Sequence, residues 1–309
     1  MSRNAAFLAG IICTQFLLFE HIRAQENQTP ADAVTVELIE AGKGPLRELR
    51  FRPQKDSMQT SVMTMGLNQA MTIGGQKLPT QNIPATQITI ETSVDKIAEN
   101  GDVEFGYSYT KIDVVDDPAN PSPLAAAMSN SMKSMVGTSG SAVINNRGFV
   151  QHSKINIPEG VPAQLKQSME GMQNAMGQMS MPLPVEPVGV GGKWRVIQNV
   201  NANGLQIKQT SVLEITELNE DGFSMNVTVT QAAEPQEVKN SSLLPGTKIN
   251  LKSLQSTGTG KSTLALSSIF PVRTAVTTNS QTAMSIEAAG QTQEISTDMK
   301  MELTLEPLP

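Results

Sequence analysis

The sequence predicts a mainly β protein of the α+β class. We expect a curved antiparallel sheet or half-barrel made from two related halves, with two amphipathic helices packed on one face. Three observations lead to this prediction: long stretches alternate apolar and polar residues, hairpin-type turns separate them, and two methionine-rich segments have helical spacing. Because strands and helices with one apolar face must bury it, we expect the helices on the apolar face of the sheet.

Residues 1–24 have the pattern of a secretory signal peptide. Arg3 precedes the apolar run Ala5–Phe19, and a short polar stretch then ends at the small residue Ala24, after which we expect cleavage. A retained membrane anchor is the alternative, although the run is shorter than the roughly 20 apolar residues that span a bilayer. The single cysteine, Cys13, lies within this run. The mature chain is therefore expected to be secreted or periplasmic, without disulfides and without a transmembrane span.

Strands are predicted wherever apolar and polar residues alternate with a period of two. The clearest stretches are Val103–Ile112, Phe223–Gln231 and Asp298–Pro307. Their content of valine and threonine favours antiparallel strands with one buried and one solvent-facing side. The sequences ENGD at 99–102 and NEDG at 219–222 are typical of hairpin turns. Residues 182–192, rich in proline and glycine, predict a linker or long loop before a strand at 194–200.

Two segments predict amphipathic helices near 122–136 and 161–179. Both begin close to a proline, which suits the first turn of a helix. Gly171 and Gly177 weaken the second helix. The expected apolar faces consist of Leu124, Met128, Met132 and Met135 in the first helix, and Leu165, Met169, Met172, Met176 and Met179 in the second.

Two stretches share the order of their features and indicate an internal duplication. Residues 92–111 and 210–231 each contain Thr-Ser-Val, an acidic turn and an alternating strand. We expect a first β unit with both helices over 25–181 and a second β unit over 182–309. The two units are expected to form one continuous domain at 34–306.

The segment GTGKST, residues 258–263, invites comparison with a phosphate-binding loop. Such a loop has a glycine five residues before the Gly-Lys-Ser group and opens a helix. Here that position is Gln255, and a strand-like run follows. Gly260, Lys261 and Ser262 are therefore rejected as a nucleotide site, and the segment is predicted to be a turn between strands.

The residue types that carry catalysis or bind metals are scarce. His152 is the only histidine outside the predicted signal peptide, so zinc sites and Ser-His-Asp triads lack partners. The adjacent carboxylates Asp116–Asp117 and Glu220–Asp221 point in different directions on an extended chain. We expect a protein that is not an enzyme and has no cofactor; an enzyme that uses carboxylates alone is the alternative. With a net charge of −6 and no basic cluster, nucleic acid and nucleotides are not expected as partners.

The 17 methionines suggest a soft, adaptable apolar surface. We expect a hydrophobic ligand, a lipid or an apolar peptide, or else an envelope protein partner, to bind the helix faces. The candidate ligand-binding residues are Met128, Met132, Leu165, Met169, Met172 and Met176. One alternative is a structural or assembly module without a small-molecule ligand. Another is a copper(I) site formed by the thioethers of Met169, Met172, Met176 and Met179.

Two short segments and the amphipathic strands carry a resemblance to a known family. LRELRFRPQKDSMQTSVMTM at 46–65 and PVGVGGKW at 187–194 resemble an uncharacterised family of exported bacterial proteins, a domain of unknown function. This resemblance covers most of residues 46–306 and implies an exported protein. More distantly, the expected architecture is similar to the lipoprotein-carrier class, whose half-barrels hold acyl chains. That likeness implies an apolar ligand on the sheet but assigns no residue.

Overall fold

The computed structural model describes residues 34–116, 123–161, 182–202, 204–238, 247–288 and 290–308. The strands are β1 (Val34–Glu40), β2 (Lys43–Arg47), β3 (Met58–Ile73), β4 (Gln76–Lys77), β5 (Gln81–Ile97), β6 (Val103–Val115), β7 (Ser139–Ile144), β8 (Val150–Asn156), β9 (Val188–Val190), β10 (Lys193–Ala202), β11 (Leu205–Leu218), β12 (Gly222–Ala233), β13 (Gln236–Glu237), β14 (Lys248–Ala265), β15 (Arg273–Ala288) and β16 (Gln291–Pro307). Between β6 and β7 lie an α-helix, α1 (Pro123–Met132), and a 3-10 helix (Lys133–Met135).

One antiparallel sheet contains fourteen of these strands, and β2 and β9 form a separate pair. The order across the large sheet is β1-β10-β11-β12-β14-β15-β16-β3-β5-β6-β7-β8, and the sheet is not closed. Strands β3 to β8 form one meander and β10 to β16 another. The last strand, β16, pairs with β3 and so joins the two meanders in the centre. The prediction of a mainly β antiparallel fold is confirmed, while the relationship between two halves stays a prediction.

The predicted strands and turns occur where alternation placed them. The three clearest stretches lie within β6, β12 and β16, and the predicted turns join β5 to β6 and β11 to β12. In the second turn the Asn219 side-chain oxygen accepts hydrogen bonds from the backbone N–H groups of Asp221 (3.0 Å) and Gly222 (2.8 Å). In the first, Gly101 has a φ of 86°, a conformation that favours glycine.

The pairing register defines two chemically different faces of the sheet. Directly paired residues lie on the same side, and successive residues on opposite sides. One row of paired residues crosses eight strands and is buried or half-buried throughout: Ile215, Met225, Ser262, Thr274, Leu305, Met63, Ile88 and Ile112. We call this side the inner face and the opposite side the outer face. On β16 the outer positions, such as Glu294, Asp298 and Lys300, are all exposed.

Two hydrophobic clusters lie on the inner face, one in each meander. The β10–β12 cluster is centred on Trp194 and Leu213, both 0% exposed. The β5–β7 cluster contains Val103, Phe105, Tyr107, Tyr109 and Ile144, among others. Because the strands of the two clusters are separated by β15, β16 and β3, the central part of the inner face belongs to neither cluster.

Each cluster is packed against segments outside its own strands. Leu49, Phe51 and Leu183, from two loop segments, are part of the β10–β12 cluster. In the β5–β7 cluster, Met135 of the 3-10 helix is buried. The ring of Phe270, from the loop between β14 and β15, meets Phe105 edge-on at 5.6 Å between centroids.

The first predicted helix is present, and part of its predicted apolar face is wrong. Leu124 is 48% exposed, whereas Ala125 is 3% exposed. The helix contacts β5 and β6, and Ala125 rather than Leu124 is the residue that it buries. The second predicted helix, 161–179, lies outside the described residues apart from Val161, so only one of two expected amphipathic helices is found in the described chain.

The predicted linker or long loop at 182–192 is a loop that contains the short strand β9, and two of its side chains belong to the core. Leu183 and Val188 are 1% and 0% exposed. Four consecutive carbonyl groups of this segment accept side-chain hydrogen bonds. Trp194 Nε1 donates to the Pro182 carbonyl (3.0 Å), and Arg147 Nε donates to the Leu183 carbonyl (2.8 Å). The two terminal nitrogens of Arg50 donate to the carbonyls of Pro184 and Val185 (3.0 Å each). Proline and glycine content predicted a loop, but the two apolar side chains between them fill the cluster.

The prediction of a turn at 258–263 is wrong, because this segment lies inside β14. Its residues pair with β12 on one side and β15 on the other. A Cβ on Gly258 would lie 2.8 Å from the Thr278 hydroxyl, and one on Gly260 would lie 2.6 Å from Val276 Cγ2. The glycines therefore allow β15 to approach β14 closely rather than reversing the chain.

Candidate ligand-binding face

The structure describes only two of the residues predicted to bind a ligand. Met128 is half-buried on α1, and Met132, at its last position, packs against the β5–β7 cluster. Leu165, Met169, Met172, Met176 and Met179 lie outside the described residues.

The strands themselves provide a second methionine-rich surface, on the inner face of β3 and β16. We call it the central band: Met65, Leu67 and Met71 of β3, and Met299, Met301 and Leu303 of β16. Met65 pairs with Leu303, and Leu67 with Met301, so the side chains are direct cross-strand neighbours. All six are half-buried. At about 3.4 Å per residue, the band is roughly 20 Å long.

The central band differs from the flanking clusters in how it is covered. Trp194, Leu213 and Val103 are 0–1% exposed because loops and the 3-10 helix pack over them. No member of the central band belongs to either cluster. Within the part of the chain that the structure describes, the centre of the inner face is thus less covered than the buried residues of the two clusters on either side of it.

Charge is confined to the outer face behind the central band. On β16, Lys300 Nζ lies 2.6 Å from Glu302 Oε1. Asp298 accepts a hydrogen bond of 3.0 Å from the Gln281 side chain on β15. The residues of the band carry no charge, so the two sides of β16 offer different partners: water and ions outside, apolar groups inside.

A polar row crosses the inner face beside the band. Successive paired positions, from β10 to β3, are Gln198, Gln209, Gln231, Ser256, Ser280, Met299 and Gln69. We use "polar row" for the six amide and hydroxyl side chains of this series. Gln231 Nε2 donates to Gln209 Oε1 at 2.7 Å. Gln198 and Ser256 are 3% and 5% exposed, and the other four are half-buried.

A cavity of about 350 Å³ lies elsewhere, between the segment after β2 and the turn joining β5 to β6. It is lined by Arg50, Phe51, Arg52, Pro53, Ile97, Gly101, Val103 and Asn146. Close to Arg50, Arg147 has a lowered pKa, because it is partly buried and because the second guanidinium repels its charge. The Arg50 guanidinium donates to the carbonyls of Leu49, Pro184 and Val185 and so connects the segment after β2 to residues 184–185.

The groups that were candidates for catalysis are dispersed. His152 lies exposed on the edge strand β8, and Glu220 and Asp221 are exposed in the turn between β11 and β12. Asp116 is half-buried at the end of β6, and Asp117 lies outside the described residues. Among the described residues there is no group of three His, Cys, Asp or Glu side chains that could hold a metal ion. No helix in the described ranges is long and apolar enough to cross a membrane.

Sequence reasoning missed the central band, although its signal was present. The alternation in SVMTMGL (61–67) and in DMKMEL (298–303) places methionines on one face of each strand. What the sequence did not show is that the last strand pairs with β3, more than 200 residues earlier, and so brings these faces together.

Comparisons with known proteins show no family. No protein-family model matches the chain, and no curated protein matches it. Among solved structures, it is similar to a Salmonella typhi OmpF complex with daunomycin, with 7% identity, 80% of this chain and 98% of the other covered, and a TM-score of 0.21. It is also similar to the outer membrane protease OmpT from Escherichia coli, with 9% identity, 84% and 98% covered, and a TM-score of 0.20. Scores this low carry no argument about fold or function.

Proposed function

We propose that this is an exported, non-catalytic envelope protein that holds a hydrophobic ligand on the central band of its sheet. One observation supports the proposal most directly: six apolar side chains in the middle of the sheet stay half-buried and belong to neither cluster, whereas Trp194, Leu213 and Val103 in the clusters are 0–1% exposed. Methionine side chains adapt to irregular apolar partners because they are unbranched and polarisable. The ligand therefore replaces water on a surface that the described chain leaves partly exposed.

The test is binding of N-phenyl-1-naphthylamine, an uncharged dye that becomes fluorescent in apolar surroundings. We expect saturable binding by the delipidated protein and at least a tenfold loss in Met65→Glu, because a buried carboxylate would have no counter-charge on the band. Thr64→Glu is the matched control: it places the same charge one residue away, on the outer face of the same strand. Equal binding by both variants, or no binding by the unaltered protein, would reject the proposal.

Export is part of the same proposal. We expect the protein recovered from the envelope to begin at Gln25, which an intact mass measurement will show. A mass that includes residues 1–24 would instead favour the retained anchor.

Native mass spectrometry of protein purified without detergent separates the remaining alternatives. Bound mass that organic solvent removes supports a lipid. Bound mass that a copper(I) chelator removes supports coordination by thioethers, the alternative predicted for Met169, Met172, Met176 and Met179. A bare polypeptide that also fails to bind the dye favours a structural or assembly module.

A further inference from the structure

We propose that the ligand is a neutral amphiphile, such as an acylglycerol, whose uncharged head group hydrogen-bonds to the polar row while its chain lies along the central band. This inference rests on the proposed function and adds the chemical class of the ligand. It follows from the pattern of side chains across the inner face, which no single strand reveals.

The polar row meets the central band at Met299. On β3, Gln69 of the row lies between Leu67 and Met71 of the band. On the other side, Met299 pairs with Ser280, and the row continues through Ser256 to Gln231. A molecule lying along β3 and β16 would therefore have amide and hydroxyl groups beside it at the position of Gln69 and Met299. Further along the two strands, in either direction, it would meet methionine and leucine side chains of the band.

The row has hydrogen-bonding capacity beyond its internal contact. An amide side chain has two N–H donors and an oxygen with two lone pairs. The 2.7 Å bond between Gln231 and Gln209 uses one donor of the first and one lone pair of the second. Directly beside the band, the Gln69 amide on β3 and the Ser280 hydroxyl on β15, both paired with Met299, can serve the ester and hydroxyl groups of a neutral lipid.

The absence of charge from the row and the band selects against an anionic head group. A carboxylate or phosphate placed there would lose its hydration without meeting a cation, which costs several kcal/mol or more. A neutral ester or hydroxyl loses less hydration and regains hydrogen bonds from amides and serines. Neutral lipids are therefore expected to bind more tightly than fatty acids of the same chain length.

The same pattern argues against an extended peptide. A peptide carries backbone N–H and C=O groups along its whole length, and each needs a partner when it is buried. Beside the band, such partners are the amides and hydroxyls of the polar row and single threonine hydroxyls such as Thr278, paired with Met301, and Thr86, paired with Met65. These are too few for all the backbone groups of a peptide. A single hydrocarbon chain with polar groups at one end matches this distribution better.

The test compares three competitors of the bound dye: glycerol monooleate, oleate and octadecene, which share a long chain but differ in head group. At pH 8 we expect glycerol monooleate to displace the dye at a concentration at least tenfold lower than oleate. In Gln69→Leu/Ser280→Ala this preference should fall to about threefold or less, while displacement by octadecene stays within twofold.

Gln255→Leu is the matched control, because Gln255 is exposed on the outer face of β14. It should keep the full preference. If the double variant does not fold, Ser280→Ala removes one hydroxyl of the row with little change in volume and should reduce the preference at least threefold.

The outcomes separate the two proposals. Equal displacement by oleate and glycerol monooleate, or an unchanged preference in the row variants, overturns the inference that the ligand has a neutral head group. The proposal that the central band binds a hydrophobic ligand would still stand. Failure of all three competitors to displace the dye overturns this inference and the proposed function together.

Discussion

Arg147 and Leu183 exchange two hydrogen bonds across 36 positions of the chain. Arg147 donates from its Nε to the Leu183 carbonyl at 2.8 Å, and the Leu183 backbone N–H donates to the Arg147 carbonyl, also at 2.8 Å. Arg147 lies in the turn between β7 and β8, at one end of the sheet, whereas Leu183 is buried in the β10–β12 cluster. The pair therefore connects the two meanders at a distance from the pairing of β16 with β3.

We expect Arg147→Met to lower the free energy of unfolding by about 1–3 kcal/mol. The variant keeps an apolar stem but loses the Nε donor, so the carbonyl of a residue that is 1% exposed loses a partner. Urea unfolding followed by the fluorescence of Trp194, the single tryptophan and 0% exposed, measures the change.

Arg52→Met is the control for this measurement. Arg52 is exposed, and its structural contact is the backbone hydrogen bond to Leu266, which the substitution keeps. We expect a change within about 0.5 kcal/mol. Equal losses in both variants would show that the connection between Arg147 and Leu183 contributes nothing specific.

Gly260 should not tolerate a side chain, although it lies inside an ordinary strand. A Cβ there would meet Val276 and the carbonyl of Ala275 closer than van der Waals contact. We expect Gly260→Ala to destabilise the protein by about 1–3 kcal/mol. Differential scanning calorimetry will show this as a lower Tm.

Gly66→Ala is the comparison within the same sheet. No atom lies within 4 Å of the Cβ position at Gly66. Because alanine gives the unfolded chain fewer conformations than glycine does, we expect Gly66→Ala to raise the free energy of unfolding by between zero and about 1 kcal/mol. If Gly260→Ala were as stable as Gly66→Ala, close approach of β15 would not be the reason for glycine in β14.

The local structure of this protein could be predicted from its sequence, because it depends on neighbours along the chain. Alternation predicted β6, β12 and β16, and asparagine and glycine marked the turns around Gly101 and Gly222. The rule that glycine marks a turn failed at Gly258 and Gly260, because these glycines lie inside β14 and leave room for the neighbouring strand β15. Local patterns also failed at Leu183, whose burial depends on partners from both meanders.

The candidate site was harder to predict for the same physical reason. Met65 and Met301 become neighbours only through the pairing of β3 with β16, and the glutamines of the polar row come from strands spread over most of the chain. A cross-strand row has no period in the sequence. The methionines at helical spacing gave a stronger local signal and drew attention to 161–179 instead.

Stability should fall in alkaline solution because of a buried tyrosine. Burial, with a smaller contribution from neighbouring Tyr109, raises the pKa of Tyr107 to about 12 from its usual value of 10. The Tyr107 hydroxyl therefore ionises at lower pH in the unfolded chain than in the folded one. Its contribution to the free energy of unfolding is complete below pH 10 and is lost as pH rises toward 12. Urea midpoints at pH 8 and pH 11 should differ less in Tyr107→Phe than in the unaltered protein. An identical decrease in both would assign the effect to other groups.

Mild oxidation by hydrogen peroxide should report which methionines are covered. Met58 is 74% exposed, the central band is half-buried, and Met225 is 1% exposed. Oxidation to sulfoxide follows access to the sulfur, so we expect Met58 to react first, Met65 and Met301 next, and Met225 last. After tryptic digestion, tandem mass spectrometry can separate Met58 from Met65 within one peptide and read Met301 from the C-terminal peptide.

The same reaction in the presence of glycerol monooleate tests the site directly. A chain lying on the central band should slow oxidation of Met65 and Met301 at least threefold. The oxidation rate of Met58 should stay unchanged, and Met58 therefore serves as an internal control for loss of peroxide. If protection instead appears at Met58, or equally at every methionine, the lipid binds elsewhere or stabilises the whole fold. Selective protection of Met65 and Met301 would locate the ligand between β3 and β16, because these two residues are brought together only by that pairing.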